Sequence, residues 1–242
     1  VQMLLGSLLG LSVYLPLAAG QLSLATPAFY AVGGTLAALL STRWSALGAT
    51  ADGGFPIPSF LLELVLGGLL AGVLALLVGR LVLRLRGIYL AIATIALVEI
   101  LRVVSLNLSF TGGAIGIFGI PQPFATPEGY VVFTSLLLAV VCWLCDRLER
   151  TRPGLAMAAI REDELAAASQ GINTANTKLL AFVLSAALSG LAGATKTLVL
   201  GFETLTDVNW PLSGEVVLMT LIGGIGTLFG PVVGAFLIIT LQ

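Results

Sequence analysis

The sequence predicts an all-α membrane protein, a polytopic helix bundle of about eight hydrophobic segments, some broken or short, with a short helix on its cytoplasmic side. Three observations carry this reading. Of 242 residues, 58% are hydrophobic and only 10% charged, against about 45–50% and about 25% in soluble domains; mean hydropathy is +1.08. A water-soluble globule of this composition could not cover itself with polar surface. The apolar residues fall in runs that approach the ~20 needed to cross ~30 Å of hydrocarbon, and Lys and Arg collect in loops that alternate with those runs. Residues 1–242 form a single transmembrane domain, with one long cytoplasmic loop at about 146–178.

By length and hydropathy the segments are Val1–Ala18, Thr26–Leu40, Ser59–Gly79, Gly87–Val104, Tyr130–Cys145, Leu179–Leu200, Glu215–Ile225 and Pro231–Leu241. Everything before Arg43 and everything after Glu215 is uncharged. Each of these stretches is interrupted, at Ala19–Pro27 and at Gly223–Pro231, by Gly, Pro and small polar residues. Broken helices at membrane depth persist only where protein or a wet cavity satisfies the freed backbone. Both interruptions are therefore candidate pathway elements, with an interfacial turn as the plainer alternative. Their placement near opposite ends suits a transporter-type internal repeat, although no residue-level repeat is visible. The chain opens on Val and stops inside an apolar run, so it is expected to continue at both ends.

Arg80, Arg84 and Arg86 fall in one loop; Arg147, Arg150, Arg152, Arg161 and Lys178 fall in another. Both are placed in the cytoplasm, two spans apart, with Ser105–Gly129 free of Lys and Arg between them. The loops around Ala46–Pro58 and Gly201–Gly214, with Asp52, Glu203 and Asp207, then lie outside. Gly68 and Gly72 form a GxxxG pair; Ser185, Ser189 and Gly193 form a small-residue ridge with Ala186, Gly190 and Ala194 beside it. Such residues allow close helix contact in lipid.

Composition also excludes functions. A net charge of -1 gives no basic field for nucleic acid. The absence of His removes the commonest metal ligand and every Ser-His or Cys-His catalytic arrangement. Cys142 and Cys145 make a CxxC, but inside an apolar helix with no preceding strand, which reads as packing. Gly190–Thr197 approaches a phosphate-binding loop but has Thr195 where a Gly is required, within a membrane helix. Any ATP-driven work therefore belongs to another polypeptide.

In the long loop, the acidic run Glu162–Glu164 suits a helix N-terminus and Gly171 a C′ position. The predicted helix runs from about Glu162 to Gln170, preceded by another turn or two, with Asn173 or Asn176 capping the next span. It lacks the aromatic or Lys-rich stripe of a lipid-surface helix, so a protein partner is the better fit.

Here the sequence resembles a family. The stretch Ala159–Asn173 followed by Lys178–Phe182 is similar to the coupling region of the M-type permease subunit of branched-chain amino-acid ABC importers. So are Gly20–Leu24, Arg86–Thr94, Thr111–Ile117 and Gly223–Pro231. The blocks cover nearly the whole chain in order. One departure is that many relatives carry a Gly-His pair where this chain has Ala25-Thr26. The resemblance implies a permease subunit that binds no cofactor itself. Its implied partners are a second related permease, two cytoplasmic ATPase subunits that bind ATP and Mg, and an extracytoplasmic solute-binding protein. It also implies that Arg161, Glu162, Asp163, Glu164, Leu165, Ala168 and Gly171 dock on the ATPase. Substrates would be branched-chain or other neutral amino acids, with urea or short amides carried by a close branch.

A pathway for such a solute needs transient neutral contacts. Gln21, Ser23, Thr26, Thr111, Gly112 and Gly113 are the candidates, through side chains and through backbone N–H groups at broken helix ends. Glu99 and Arg102 are three positions apart on one helix face; Glu99 is expected to pair with Arg102 or Lys196, either gating the outer mouth or as a structural ion pair. The same features leave room for an ion-coupled secondary transporter or channel.

Overall fold

The computed structural model describes residues 1–43, 57–85, 87–108, 111, 113, 115–120, 122, 124, 126–204 and 209–241. Arg86, Gly112, Asp52 and Asp207 lie outside the described residues, as does most of the outer loop around Ala46–Pro58. The helices are α1 Gln2–Ala18, α2 Thr26–Arg43, α3 Ile57–Val82, α4 Ile88–Asn107, α5 Pro127–Glu149, α6 Arg152–Glu162, α7 Glu164–Ser169, α8 Thr174–Leu200, α9 Trp210–Gly223 and α10 Gly230–Leu241. Each of the eight apolar segments expected from the sequence is a helix here. Among the described residues, α3, α4, α5 and α8 are long and apolar enough to cross a membrane. At 14 and 12 residues, α9 and α10 reach only about 21 and 18 Å at a rise of about 1.5 Å per residue. They form a hairpin across the Gly-rich turn rather than two separate spans.

The helices sort themselves by side-chain size. On α3, Val65, Leu69, Val73 and Leu77 share one exposed face, the spacing of a lipid-facing stripe. Its opposite face buries Leu64, Ala71 and Ala75. There the expected GxxxG works as a seam: a Cβ added to Gly68 would come within 3.0 Å of the Ala187 carbonyl oxygen, and one on Gly72 within 3.5 Å of the Ala187 Cβ. Helix α8 is the hub, packing against α1, α2 and α3. Its small-residue ridge is used as expected, with Gly193 against the Tyr30 backbone and Gly190 against Gly33 and Gly67. In the middle of this contact Ser189 Oγ donates to Ser12 Oγ at 3.0 Å, a buried polar link between α1 and α8. A matching glycine seam joins α1 to α10, where a Cβ on Gly10 would lie 2.9 Å from that of Pro231.

One short ribbon interrupts the helical architecture. Strands β1 Ile117–Phe118 and β2 Phe202–Glu203 pair antiparallel, Ile117 opposite Glu203 and Phe118 opposite Phe202. Cys142 and Cys145 are free thiols packed within α5. Gly190–Thr197 lies inside α8 with its glycines pressed against α2 and α3.

Candidate translocation site and coupling surface

The cytoplasmic loop departs from the sequence expectation in one respect. Instead of a helix from about Glu162 to Gln170 with another turn or two before it, there are two separate helices, the longer α6 and the shorter α7, broken at Asp163. The cause is local. Asp163 adopts an extended conformation (φ -154, ψ 112), and its Oδ1 accepts from the N–H groups of Leu165 at 2.8 Å and Ala166 at 3.0 Å. An N-cap carboxylate thus outcompetes helix continuation. The other end is as expected. Gly171 (φ 86) follows α7, with its N–H on the Ala168 carbonyl and that of Ile172 on the Ala167 carbonyl, the paired bonds of a Schellman motif. Asn173 caps α8 through the Asn176 N–H at 3.1 Å.

Helix α6 is anchored from above. Met157 and Ile160 are buried, and Met157 packs with Ala19 and Ala181. Gly20 (φ 69), just after α1, lies close against α6: an added Cβ would sit 3.2 Å from Arg161 Cα. Helix α7 is held by Ala167, which is buried, and by the ion pair of Glu164 with Lys178 at 2.7 Å. What remains outward is Arg161, Glu162, Asp163, Ala168, Gly171 and Leu165, the last 78% exposed. An exposed Leu directly after an acidic run on a braced two-helix element is a docking surface in form.

Between α1 and α2 the backbone from Gln21 to Ala25 belongs to no regular element. At Leu24 it is satisfied by protein, in the manner a break at membrane depth requires. Leu24 donates its N–H to Thr94 Oγ1 of α4 at 3.0 Å, and its carbonyl accepts from Ser213 Oγ of α9 at 2.8 Å. Ser23 Oγ accepts from Ala25 N at 3.4 Å. Gln21, Ser23 and Thr26 are all buried, and neither the amide nitrogen nor the amide oxygen of Gln21 has a hydrogen-bond partner. Gln21 lines a cavity of about 390 Å³ whose walls include Leu90 and Ala91 of α4 and the Glu164 and Lys178 pair. The pathway candidate and the coupling element therefore share one inner cavity.

Thr111 is placed differently from its expected use. Its hydroxyl is turned back onto the Ser105 carbonyl at 2.5 Å and the Leu108 carbonyl at 2.7 Å, closing the end of α4. Gly113 takes φ 57 beside the Leu106 carbonyl, and Gly112 is outside the described residues. Glu99 pairs with Arg102 at 3.2 Å, settling the choice between its two cations. Lys196 lies with its Nζ 5.5 Å from the centroid of the Tyr30 ring.

At the opposite end from α6 and α7, a cavity of about 510 Å³ opens between α1, α2, α8, α9 and α10. The ends of α1 and α8 that line it, around Gln2 and Lys196, are those remote from the coupling loop. Sequence reading missed it, because Tyr30, Lys196 and Glu215 meet only through packing of distant segments. It also missed Glu63, fully buried within α3, whose Oε2 accepts from Ser41 Oγ of α2 at 2.6 Å while Oε1 has no partner. Glu203 was placed in an outer loop by the sequence, but it too is buried, and its Oε2 accepts from Thr197 Oγ1.

An all-α bundle with half-length helices, broken backbone at membrane depth and a braced cytoplasmic element defines a multi-pass membrane permease. The chain belongs to the family described as branched-chain amino acid transport system / permease component, whose model matches residues 1–242. It is 34% identical over 261 residues to the high-affinity branched-chain amino acid transport system permease protein LivM of Salmonella typhimurium, covering 96% of this chain. The same figures hold for LivM of Escherichia coli. The autoinducer 2 import system permease protein LsrC of Yersinia pestis is 28% identical over 205 residues, covering 79% of this chain and 56% of LsrC. The chain spans 58% of the length of the LivM relatives. No solved structure matches it. Family and spans together place it in the bacterial cytoplasmic membrane.

Proposed function

We propose that this chain is a membrane-spanning permease subunit of an ATP-binding-cassette importer, moving branched-chain or other neutral amino acids delivered by an extracytoplasmic solute-binding protein. A second related permease would complete the pore, and two cytoplasmic ATPase subunits would bind ATP and Mg. The observation that carries the reading is the contact of α6 with the turn at Gly20. Arg161 begins the outward docking surface and at the same time abuts Gly20, which opens the non-helical pathway segment, so a displacement of α6 is delivered to Gln21 with no intervening element. Arg161, Glu162, Asp163, Glu164, Leu165, Ala168 and Gly171 form the surface for the ATPase. Gln21, Ser23 and Thr26 line the inner part of the route; Thr111, Gly112 and Gly113 belong to the outer loop that closes it; Glu99 and Arg102 brace α4.

The test is reconstitution of the complex that copurifies with the chain. Uptake of labelled leucine that requires both the binding protein and ATP hydrolysis is the expected result. Uphill accumulation by vesicles holding this chain alone, driven by an ion gradient, overturns the importer reading. Uptake of urea or acetamide but not of leucine overturns the substrate.

A further inference from the structure

A cavity of about 430 Å³ opens where α3 ends beside the start of α8, and three cations and one carboxylate line it: Arg80, Arg84, Lys178 and Glu164. Lys178 is committed to Glu164 at 2.7 Å. Arg80 and Arg84 are both exposed, and among the described residues neither guanidinium has a hydrogen bond or an ion pair. The helical bonding of α3 runs on past Val82, with Leu83 donating its N–H to the Gly79 carbonyl at 2.9 Å. Leu77, Arg80, Leu81 and Arg84 therefore follow one another down a single face. Leu77 and Leu81 are exposed and continue the lipid-facing stripe of Val65, Leu69 and Val73. Two positive charges thus stand at the foot of a stripe suited to acyl chains, at the end of the bundle that carries α6 and α7.

We infer that this cavity holds the headgroup of an anionic phospholipid of the cytoplasmic leaflet, with Arg80 and Arg84 taking the phosphodiester and Leu77 and Leu81 an acyl chain. The inference is independent of the solute carried and needs only the orientation of the chain in the membrane. With Lys178 and Glu164 offsetting each other, the lining keeps two positive charges. These favour a headgroup of net negative charge over one that brings its own ammonium. A soluble phosphate would meet the arginines but leave Leu77 and Leu81 unused. Arginines that only reach the interface on long stems need no cavity beside them, whereas basic pockets between spanning helices are the form in which anionic headgroups are held. The cavity shares Leu83, Glu164 and Lys178 with the inner cavity of Gln21, so the lipid sits directly beside the ion pair that braces α7.

Photolabelling of the complete complex in phosphatidylcholine nanodiscs tests the assignment. The probe is phosphatidylglycerol with a diazirine in its headgroup, and adducts are located by peptide mass spectrometry. Saturable adducts are expected within residues 79–84 and 174–179, displaced by unlabelled phosphatidylglycerol and untouched by inorganic phosphate. R80Q and R84Q combined in one chain weaken labelling about thirtyfold, the weight of two interfacial cations. R150Q, which removes a cation at the end of α5 on the same side, leaves it unchanged. If the double variant does not assemble, R84Q, beyond the end of α3, is read alone, with a weakening of about fivefold. Absence of adducts from these segments, or labelling that the arginine variants do not weaken, overturns the site. Displacement by inorganic phosphate reassigns the cavity to a soluble anion, and adducts that appear only after ATPase subunits are stripped away reassign it to an acidic protein surface. Labelling that does not saturate leaves the arginines as ordinary interface residues. Each of these outcomes rejects the lipid site.

Discussion

At the scale of single residues, the fold depends on positions with no side chain and on polar groups with one partner each. Gly33 is pressed against the Gly190 backbone so closely that any Cβ would overlap it. Overpacking of this kind costs about 1–3 kcal/mol when neighbours can yield, and here the obstacle is backbone. G33A is therefore expected to remove most of the folded chain from detergent extracts, measured by size-exclusion yield. G214A, in α9 with nothing within 4 Å of its Cβ position, is expected to fold normally with an equal or higher thermal midpoint, since Ala is the better helix former by up to about 1 kcal/mol. Ser41 is the sole hydrogen-bond donor to Glu63 among the described residues. S41A leaves both carboxyl oxygens without a donor and should destabilise by about 1–3 kcal/mol, read as a lowered midpoint that S41T restores in part. None of this was legible in the sequence. A lone Glu in an apolar run names no partner, and a glycine does not say which helix it touches.

Among the elements, legibility follows the range of the forces. Hydropathy located all eight apolar helices because burial in lipid is decided residue by residue along a local window. The GxxxG of α3 was readable for the same reason. The break between α6 and α7 was not read, because two outcomes compete at Asp163 within one turn: a side chain that continues the helix, or one that caps the next. That competition supplies a test. D163A removes both cap bonds, worth about 1 kcal/mol, and is expected to reduce recovery of ATPase subunits on the tagged chain. D163N, which caps as well without the charge, is expected to retain them. Equal loss in both variants would assign the effect to charge and reject the cap. The candidate site divides in the same way. The coupling loop, local in sequence, was found nearly whole, whereas the outer cavity draws Tyr30, Lys196 and Glu215 from three separate helices and had no signature to find. Thr111 was read as a neutral polar contact for the solute, but its hydroxyl closes the end of α4, a local fold-back that residue type does not reveal.

For the whole molecule, the positive-inside assignment and the packing agree on one orientation. Both basic clusters, α6 and α7 lie at one end, and the 510 Å³ cavity lies at the other. In a background with Cys142 and Cys145 replaced by Ser, S169C is expected to react with a membrane-impermeant maleimide only in inverted vesicles, and Q122C only in intact cells. The same sidedness for both would reject the topology. A consequence follows from the way Leu24 is suspended, its N–H on α4 and its carbonyl on α9. These two helices come from distant parts of the chain and, among the described residues, have no other hydrogen-bonded bridge through this segment. Any motion that spreads α4 from the α9 and α10 hairpin must sever one of the two attachments, and a peptide group freed there must take a new partner. In the proposed importer, separation of these helices and exposure of a polar backbone contact to the solute are then a single event.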